Sequence, residues 1–266
     1  MIEKYVACLS EVGVTVRALV LDGHASNISA AKSLGYILSP ENCKEYVTFN
    51  DEKMFFFLDY VHCIKLMRNI FASNILLDPD GNEISWHYIK LLQNIQQEEG
   101  LKLANKLSVR HIEFHNQKMK VNLAVQIFSR SVACALATLR QLGYEGFRNS
   151  ESTEKFLYVI NDLFDILNSR SSHARGYKAP LFANNFEKSF ERLDECYSYI
   201  SALCLLNGTP LISSKKKTGA IGLLICIRSL KGVYYNLKER ASFFCTYRLC
   251  QDHLELFFNS IRRFVK

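Results

Sequence analysis

The sequence predicts a mixed α/β fold that is mostly helical. Short runs of β-branched and aromatic residues lie near the start of the chain, and each of them ends at an aspartate. From about residue 59 onward, apolar residues recur instead at the spacing of helix faces. With 266 residues, 48% of them hydrophobic, the chain can bury a large core, and its sparse glycine and proline argue against disorder.

Two strands are predicted in this first region. Val14–Leu21 (VTVRALVL) is rich in β-branched residues and predicts a buried strand that delivers Asp22 to a loop. A short helix is expected over Ser29–Leu34. Met54–Leu58 is a second apolar run, and it places Asp59 directly after its last residue. Both aspartates are therefore expected at the end of a strand.

Helical periodicity then continues towards the end of the chain. The longest predicted helix, Lys120–Leu142, carries apolar residues along one side and stops at Gly143. Asn207–Pro210 breaks the pattern, and three consecutive lysines at 215–217 follow it as an exposed linker. The remaining predicted helices are Asp59–Phe71, Trp86–Gln97, Ser152–Ser169, the stripe from Phe186 to Cys204, Ile221–Leu237 and Leu249–Val265.

Cysteine spacing argues against a zinc-binding protein, and the length of the apolar runs argues against a membrane-spanning one. None of the nine cysteines forms a CxxC pair or a Cys/His cluster with zinc spacing, so we expect reduced core thiols in an intracellular protein. The apolar run Gly219–Ile227 is far shorter than the ~20 residues that a membrane span needs. The N-terminus does not match a secretory signal, and no membrane association is expected.

The positive charge is concentrated near the C-terminus. The formal net charge is +7, and residues 211–266 hold eleven Lys or Arg against three acids. A basic segment of this kind suggests a polyanion as the partner, with nucleic acid first. The alternative, an ordinary solvated basic face, is compatible with the same charges.

Asp22 and Glu255 are candidate metal ligands. An aspartate at the end of a strand and a glutamate on a distant helix are what a two-metal phosphoryl-transfer site needs, because carboxylates bridge the two Mg²⁺ ions. On spacing alone, a turn or helix-cap aspartate explains Asp22 better. His62 and His253 are interpreted as core or capping histidines.

Asn161, Asp165 and Asn168 share one face of a predicted helix, at i, i+4 and i+7. A carboxylate there can accept hydrogen bonds from both the N1 and the N2 donors of guanine, a pair that adenine lacks. On spacing alone, a solvent-facing polar stripe explains the pattern better. Nothing in the chain matches the GxxxxGK[ST] phosphate loop, so any nucleotide site must be of another type.

Taken together, several segments are similar to the P-element-like DNA transposases, a family that includes proteins with an N-terminal THAP zinc finger. Each motif is modest alone, but their order and spacing are specific, and they span most of the chain. The segments are VRALVLDGHASN, LDYVHCIKLMRN, ISWHYIKLLQNIQQEEGLKLANKLSVRHI, KMKVNLAVQIFSRSVACAL, EKFLYVINDLFDILNSRS, TGAIGLLICIRSLKGVYYNLKE and TYRLCQDHLELFFNSIRR.

The resemblance implies a partial RNase H-like fold that is interrupted by an all-α GTP-binding insertion. The implied parts are an incomplete N-terminal RNase H-like part (1–57), the insertion domain (58–175), a helical connector with a basic linker (176–216) and a C-terminal RNase H-like part (217–266). The family reaction is Mg²⁺-dependent DNA cleavage and strand transfer at transposon ends. GTP and Mg²⁺ are thus implied as cofactors and DNA as a partner, together with self-association into a homo-oligomer and a nuclear location.

The resemblance also implies roles for individual residues. Asp22 matches the second catalytic aspartate and Glu255 matches the catalytic glutamate, and both would hold metal. Asp165 and Asn168 match the pair that contacts guanine. Further nucleotide contacts are implied for Lys106, Val121 and Asp252.

The chain departs from the family pattern in ways that bear on catalysis. No zinc-finger pattern precedes Val14, and no aspartate occurs before Asp22, so the first three strands of the RNase H-like fold and the first catalytic aspartate are not found. We therefore expect a fragment, a decayed copy or a shortened domesticated protein that is inactive by itself. The alternatives are a non-enzymatic DNA-binding or interaction protein derived from a transposon, and a helical domain without nucleotide.

Overall fold

The computed structural model describes residues 1–39, 42–100 and 102–264, so Val265, the predicted end of the last helix, lies outside the described residues. The strands are β1 (Ala18–Leu21), β2 (Tyr46–Phe49), β3 (Glu52–Leu58), β4 (Leu76–Leu77), β5 (Glu83–Ile84) and β6 (Cys204–Leu205). The helices are α1 (Ile2–Glu11), α2 (Ala25–Ser33), α3 (Tyr60–Ser73), α4 (His87–Glu99), α5 (Val109–Ile112), α6 (Val121–Ile127), α7 (Arg130–Gln141), α8 (Glu151–Leu167), α9 (Phe186–Ala202), α10 (Thr218–Leu237) and α11 (Asp252–Phe264).

The first sheet has β3 at its centre, parallel to β1 and antiparallel to β2. Leu21 is the register partner of Leu58, and the amide of Asp59 donates to the carbonyl oxygen of Leu21 at 2.8 Å. Because parallel neighbours end at the same edge of a sheet, Asp22 and Asp59 leave it side by side. The prediction that both aspartates follow strands is confirmed.

Strand β1 is shorter than the predicted Val14–Leu21, because its ladder with β3 starts at Ala18, opposite Phe55. Val14 is exposed, and all four residues of β1 are only half-buried. Within the described chain, β1 pairs on one side alone, whereas β3 pairs on both sides. The β1 strand is therefore the weakly covered edge of this sheet.

Helix α10 packs closely against β3 and α3 because glycines face the contact. A Cβ atom at Gly219 would lie 2.9 Å from Cβ of Leu66, and one at Gly222 would overlap Sγ of Cys63. Ser229 of the same helix donates from its hydroxyl to the carbonyl oxygen of Phe56 at 2.5 Å. The first turn of α10 is thereby fixed beside the edge at which Asp22 and Asp59 leave the sheet.

A helical region continues directly from α3, which packs on α6 and α8 as well as on α10. Its centre is aromatic: the ring of Phe71 makes an edge contact with Trp86 at 5.1 Å and another with Phe156 at 5.3 Å between centroids. Helix α7 packs against α8, and α8 packs against α9. Burial of these rings accounts for much of the stabilisation of the region, since aromatic side chains bury large apolar areas.

One helix prediction is wrong. Instead of a single helix over Lys120–Leu142, the structure has α6 and α7 with a break at Phe128–Ser129. The hydroxyl of Ser129 donates to the carbonyl oxygen of Gln126 at 2.7 Å, in competition with the helical ladder. Across the break, Oδ1 of Asn161 accepts the amide of Arg130 at 3.1 Å and so caps the start of α7.

The segment Val121–Gln141 also corrects the expectation about apolar length, because it is long and apolar enough to cross a membrane by length and composition. Such a segment is weak evidence for a span, since core helices pass the same test. Here it is divided, and α7 with its 12 residues is about 18 Å long, against about 30 Å of bilayer hydrocarbon. Leu123, Ile127 and Leu136 point into the protein core.

Shorter elements escaped prediction from the sequence. Strands β4, β5 and β6 form a second sheet of two-residue strands in the order β5-β4-β6. Strand β2 was also missed, and α2 starts at Ala25 rather than Ser29. The predicted class, a mixed α/β and mostly helical chain, is confirmed.

Candidate functional site

A cavity of about 850 Å³ lies between α7, α8, the turn Gly176–Lys178 and the start of α9. A smaller cavity of about 140 Å³ shares Lys106, Asp165 and Lys178 with it. The small cavity adds an apolar wall made of Ile64, Val125, Phe128 and Phe164. The two cavities form one pocket with a polar mouth and an apolar inner end, which we call the α8 pocket.

The mouth of the α8 pocket is strongly cationic. Two acids, Asp162 and Asp165, lie among the described lining residues. Asp162 is already paired, because its Oδ2 lies 2.8 Å from Nη2 of Arg192 on α9. The positive side chains in the lining are Lys106, Arg130, Arg175, Lys178 and Lys188. The mouth is thus suited to an anion with several negative charges.

Asp165 stands where the mouth and the inner cavity meet. Its side chain is 19% exposed, and burial is the main reason why its pKa is raised. Nδ2 of Asn161 donates to Oδ2 of Asp165 at 3.3 Å, and Nζ of Lys178 lies 3.9 Å from Oδ1. Both neighbours act against the rise in the pKa. The carboxylate therefore keeps acceptor capacity at the boundary of an apolar compartment.

Two of the five predicted nucleotide contacts, Lys106 and Asp165, line the α8 pocket; among the described lining residues, Val121, Asn168 and Asp252 do not occur. Asn168 accepts instead from the hydroxyl of Tyr60 at 3.2 Å and from Nε of Arg170 at 3.0 Å. Nη2 of Arg170 lies 3.2 Å from Oδ2 of Asp252. Asn168 and Asp252 are therefore joined through Arg170, next to the pocket rather than in it.

Asp22 lies in a tight turn after β1. Its Oδ1 accepts the amide of His24 at 2.9 Å and Nδ2 of Asn27 at 2.6 Å. The His24 amide is the main reason why the pKa of Asp22 is lowered, so the carboxylate is ionised at neutral pH. Asp22 is thus both a turn-forming aspartate and a fixed negative charge at the edge of the sheet.

Asp59 is the buried counterpart of Asp22 at this edge. It caps α3 by accepting the amide of Val61 at 3.2 Å, and the backbone amide of Gln251, just before α11, is close enough to lower its pKa. Burial raises its pKa to about 6, and the nearby Asp252 adds to that rise. Asp59 therefore lies where the end of β3, the start of α3 and the segment before α11 come close together.

His62 lies close enough to both Asp22 and Glu255 for each carboxylate to affect its pKa. It lies one turn into α3 and is half-buried, and burial followed by the charge of Lys65 lowers its pKa. The carboxylates of Asp22 and Glu255 both oppose that shift, so both are within electrostatic range of the same imidazole. The sequence interpretation of His62 as a core or capping residue missed this relation, although its spacing from Asp59 places it one turn along α3.

The described residues do not form a complete site for the implied magnesium. Among them, no group of three or more His, Cys, Asp or Glu side chains is arranged to hold a metal ion. Asp22 is directed towards its own turn, and Glu255 is on an exposed part of α11. Two carboxylates do not bridge two ions in the geometry of phosphoryl transfer.

Comparisons with known proteins find related transposases along nearly the whole chain. A family model described as the TNP-like, GTP-binding insertion domain matches residues 61–180. The human DNA transposase THAP9 is 31% identical over 262 residues, which cover 96% of this chain. The Drosophila P element transposase in its strand transfer complex aligns with 98% of this chain at 28% identity and a TM-score of 0.86. This chain belongs to the P-element-like transposases.

The P-element-like chain covers only part of its relatives. It spans 29% of human THAP9 and 58% of the chain in the strand transfer complex. The transposable element P transposase of Drosophila melanogaster is 29% identical over 214 residues, which are 79% of this chain and 27% of that protein. The fold is RNase H-like with a helical GTP-binding insertion.

The insertion of this P-element-like chain contains most of the α8 pocket. The matched range 61–180 includes Lys106, Asp165 and Lys178, and it excludes Asp22 and Glu255. The cationic side chains other than Lys106 were missed from the sequence, because they come from separate elements and share no motif. The individual roles of the predicted site residues and the domain boundaries stay predictions.

Proposed function

We propose that this chain binds a guanine nucleotide in the α8 pocket, as the cofactor of a P-element-type DNA transposition system. The observation that carries the proposal is Asp165, a mostly covered carboxylate between an apolar compartment and a cationic mouth. The GTP-binding family match over residues 61–180 supports the choice of nucleotide. The apolar inner end suits a base, and the cations at the mouth suit phosphates.

Guanine fits the inner end better than adenine does. A carboxylate can accept from N1–H and N2–H of guanine together, whereas adenine presents no such donor pair. Lys178 pairs with Asp165 only loosely, at 3.9 Å, and its own side chain is 68% exposed. An incoming guanine can therefore replace the Lys178 contact and leave that ammonium free for a phosphate.

The test of this proposal compares GTP with ATP on the intact chain by calorimetric titration. GTP is expected to bind more tightly, and Asp165→Ala is expected to weaken GTP by on the order of 2 kcal/mol while changing ATP little. Asp80→Ala is the matched control, because Asp80 is an exposed acid that pairs with Lys155 outside the α8 pocket. Equal affinity of the unmodified chain for both nucleotides would remove the guanine assignment.

DNA is the proposed macromolecular partner. The human relative is named a DNA transposase, and the related structure is a strand transfer complex. In this chain, the excess of basic residues over residues 211–266 supports the same partner. Self-association and a nuclear location are further predictions of such a role.

We also propose that the chain does not cleave or join DNA by itself. Asp22 and Glu255 are within range of one histidine, but the described carboxylates do not form a two-ion site. The test is a strand-transfer assay with Mg²⁺, GTP and pre-cleaved transposon-end DNA. Product that disappears with Glu255→Ala would overturn this proposal and would show that further carboxylates, such as Asp59 or Asp252, complete the site.

The second candidate function is a non-enzymatic DNA-binding protein derived from a transposon. The concentration of positive charge near the C-terminus favours it independently of the nucleotide. DNA binding without any GTP binding would support this function over the first. GTP binding with the selectivity described above would support the first.

A further inference from the structure

Three consecutive lysines, Lys215–Lys217, form the turn that leads into α10. All three side chains are exposed. The sequence predicts a linker here, but the close packing of Gly219 and Gly222 on α3 fixes this turn beside the loop that follows Asp22. A Cβ atom at Gly23 would lie 3.1 Å from Cγ2 of Thr218, so the loop and the start of α10 are in contact.

On one side of the Gly23–Thr218 contact there is a cleft of about 400 Å³. Lys215 and Lys216 line it together with the amide side chains of Asn69 and Asn74. Nζ of Lys216 donates to Oδ1 of Asn74 at 2.7 Å. Among the described residues that line this cleft, there is no carboxylate. We call it the Lys215 cleft.

On the other side of the same contact, a second cleft of about 840 Å³ is lined by Lys32 and Lys217. Gly23 and Thr218 line both clefts. In the part of the chain that the structure describes, none of these four lysines has a carboxylate within 4 Å. Four ammonium groups without acidic partners among the described residues therefore flank the loop that carries Asp22.

We propose that these two clefts hold backbone phosphates of a DNA strand, one on each side of the Asp22 loop. Lys215, Lys216 and Asn69 bind the first phosphate, and Lys32 and Lys217 bind the second. The inference rests on DNA as the partner in the proposed function and adds the residues that position the strand. Contacts of this kind fix the register of a nucleic acid without selecting its sequence.

Electrostatics explains why lysines lie on both sides of the Asp22 loop. The Asp22 carboxylate is held in its turn by the amide of His24 and by Asn27, and it repels a phosphodiester that lies next to it. Lysines on both sides of the loop offset that repulsion and leave the strand lying across Asp22. The amide group of Asn69 adds a neutral hydrogen-bond donor, which suits phosphate oxygens. Asn74 donates instead to the carbonyl oxygen of Ile70 at 2.8 Å and accepts from Lys216, so it positions the Lys216 ammonium in the cleft.

The test uses the full chain and a short fluorescent DNA with single methylphosphonate linkages, which remove one backbone charge at a time. For the unmodified chain, affinity is expected to fall when the neutral linkage is at one or two particular positions. In Lys215→Gln/Lys216→Gln, the effect at one of these positions is expected to vanish. The salt slope of binding is expected to decrease by roughly one for each lost phosphate contact.

The matched control is Lys90→Gln/Lys102→Gln, which removes the same charge from exposed residues outside both clefts and the α8 pocket. It is expected to keep the methylphosphonate profile. Unchanged GTP affinity of the cleft variant shows that the variant is folded. An unchanged profile in the cleft variant overturns this inference and leaves DNA binding intact, whereas no DNA binding by the unmodified chain overturns both.

Discussion

Asp59 follows β3 directly and caps α3, next to the segment that leads into α11. The residue is 5% exposed, its carboxyl group accepts the amide of Val61, and the amide of Gln251 is close enough to affect its pKa. Burial favours the neutral form of this carboxyl group more strongly than the nearby amides and Lys65 favour the ionised form, which is why its pKa rises to about 6. The ionised form therefore costs stability at neutral pH.

The pH dependence of unfolding tests this description of Asp59. Since the pKa is raised from 3.8 to about 6, the folded state holds the proton more strongly, and stability is gained as pH falls from above 6 to below 4. A rise of this size in the pKa corresponds to on the order of 3 kcal/mol. In Asp59→Asn, the free energy of unfolding from urea titrations is expected to change less between pH 7 and pH 4 than in the unmodified chain. The same pH dependence in both proteins would contradict the assignment.

Asp165 and Asp22 show how far residue roles could be predicted. The spacing of Asp165 placed it on a helix face, and the apolar run before Asp22 placed it after a strand. The roles predicted for both residues came from the family resemblance. The convergence of Arg130, Lys178 and Lys188 on the α8 pocket could not be predicted, because each comes from a different element. Arg68 was equally unforeseen: it is fully buried over the ring of Phe114 at 3.9 Å, and its Nη2 donates to the carbonyl oxygen of Lys118 at 2.8 Å.

At the scale of elements, the break between α6 and α7 shapes the α8 pocket. Phe128 and Ser129, at the break, line the inner cavity, and Asn161 reaches across from α8 to cap α7. The apolar residues keep their helical spacing across the break, so the sequence predicts one helix. The side chain that caps the second helix, Asn161, is 31 residues away from Arg130 in the sequence. The two-residue strands β4 to β6 were missed for a related reason, since two residues show no period.

Asn161→Ala tests the link between this break and the nucleotide. The change removes the acceptor for the Arg130 amide and the donor to Asp165, so we expect a loss of about 1 kcal/mol in the free energy of unfolding and weaker GTP binding. Thr138→Ala is the control, because its hydroxyl bonds only within α7 on an exposed face. Unaltered stability and GTP affinity in Asn161→Ala would show that the cap is not needed.

At the scale of the whole molecule, one framework holds both the α8 pocket and the edge of the sheet at Asp22. Helix α3 starts at Asp59 on the edge of the sheet and ends in the aromatic core of the insertion. The contacts from Tyr60 to Asn168, and from Arg170 to Asp252, join the end of α8 to the start of α11. The α8 pocket and the Asp22 edge are therefore parts of one packed body.

Stability is not uniform across this body. Strand β1 is half-buried and paired on one side within the described chain, whereas α8 buries most of its length. Amide hydrogen exchange followed by mass spectrometry is expected to be fast in β1, slower in β3 and slowest in α8 and the buried side of α7. Equal protection of β1 and β3 would mean that something covers the β1 edge.

The central claim, that Asp165 binds guanine in the α8 pocket, is tested most directly with GTP and inosine triphosphate. Hypoxanthine keeps N1–H but lacks the N2 amino group, so it can donate only one of the two hydrogen bonds. The unmodified chain is expected to bind inosine triphosphate roughly 10-fold more weakly than GTP, as the loss of one bond to a charged group implies. In Asp165→Ala the two affinities are expected to become equal; the same preference for GTP in that variant would contradict the claim.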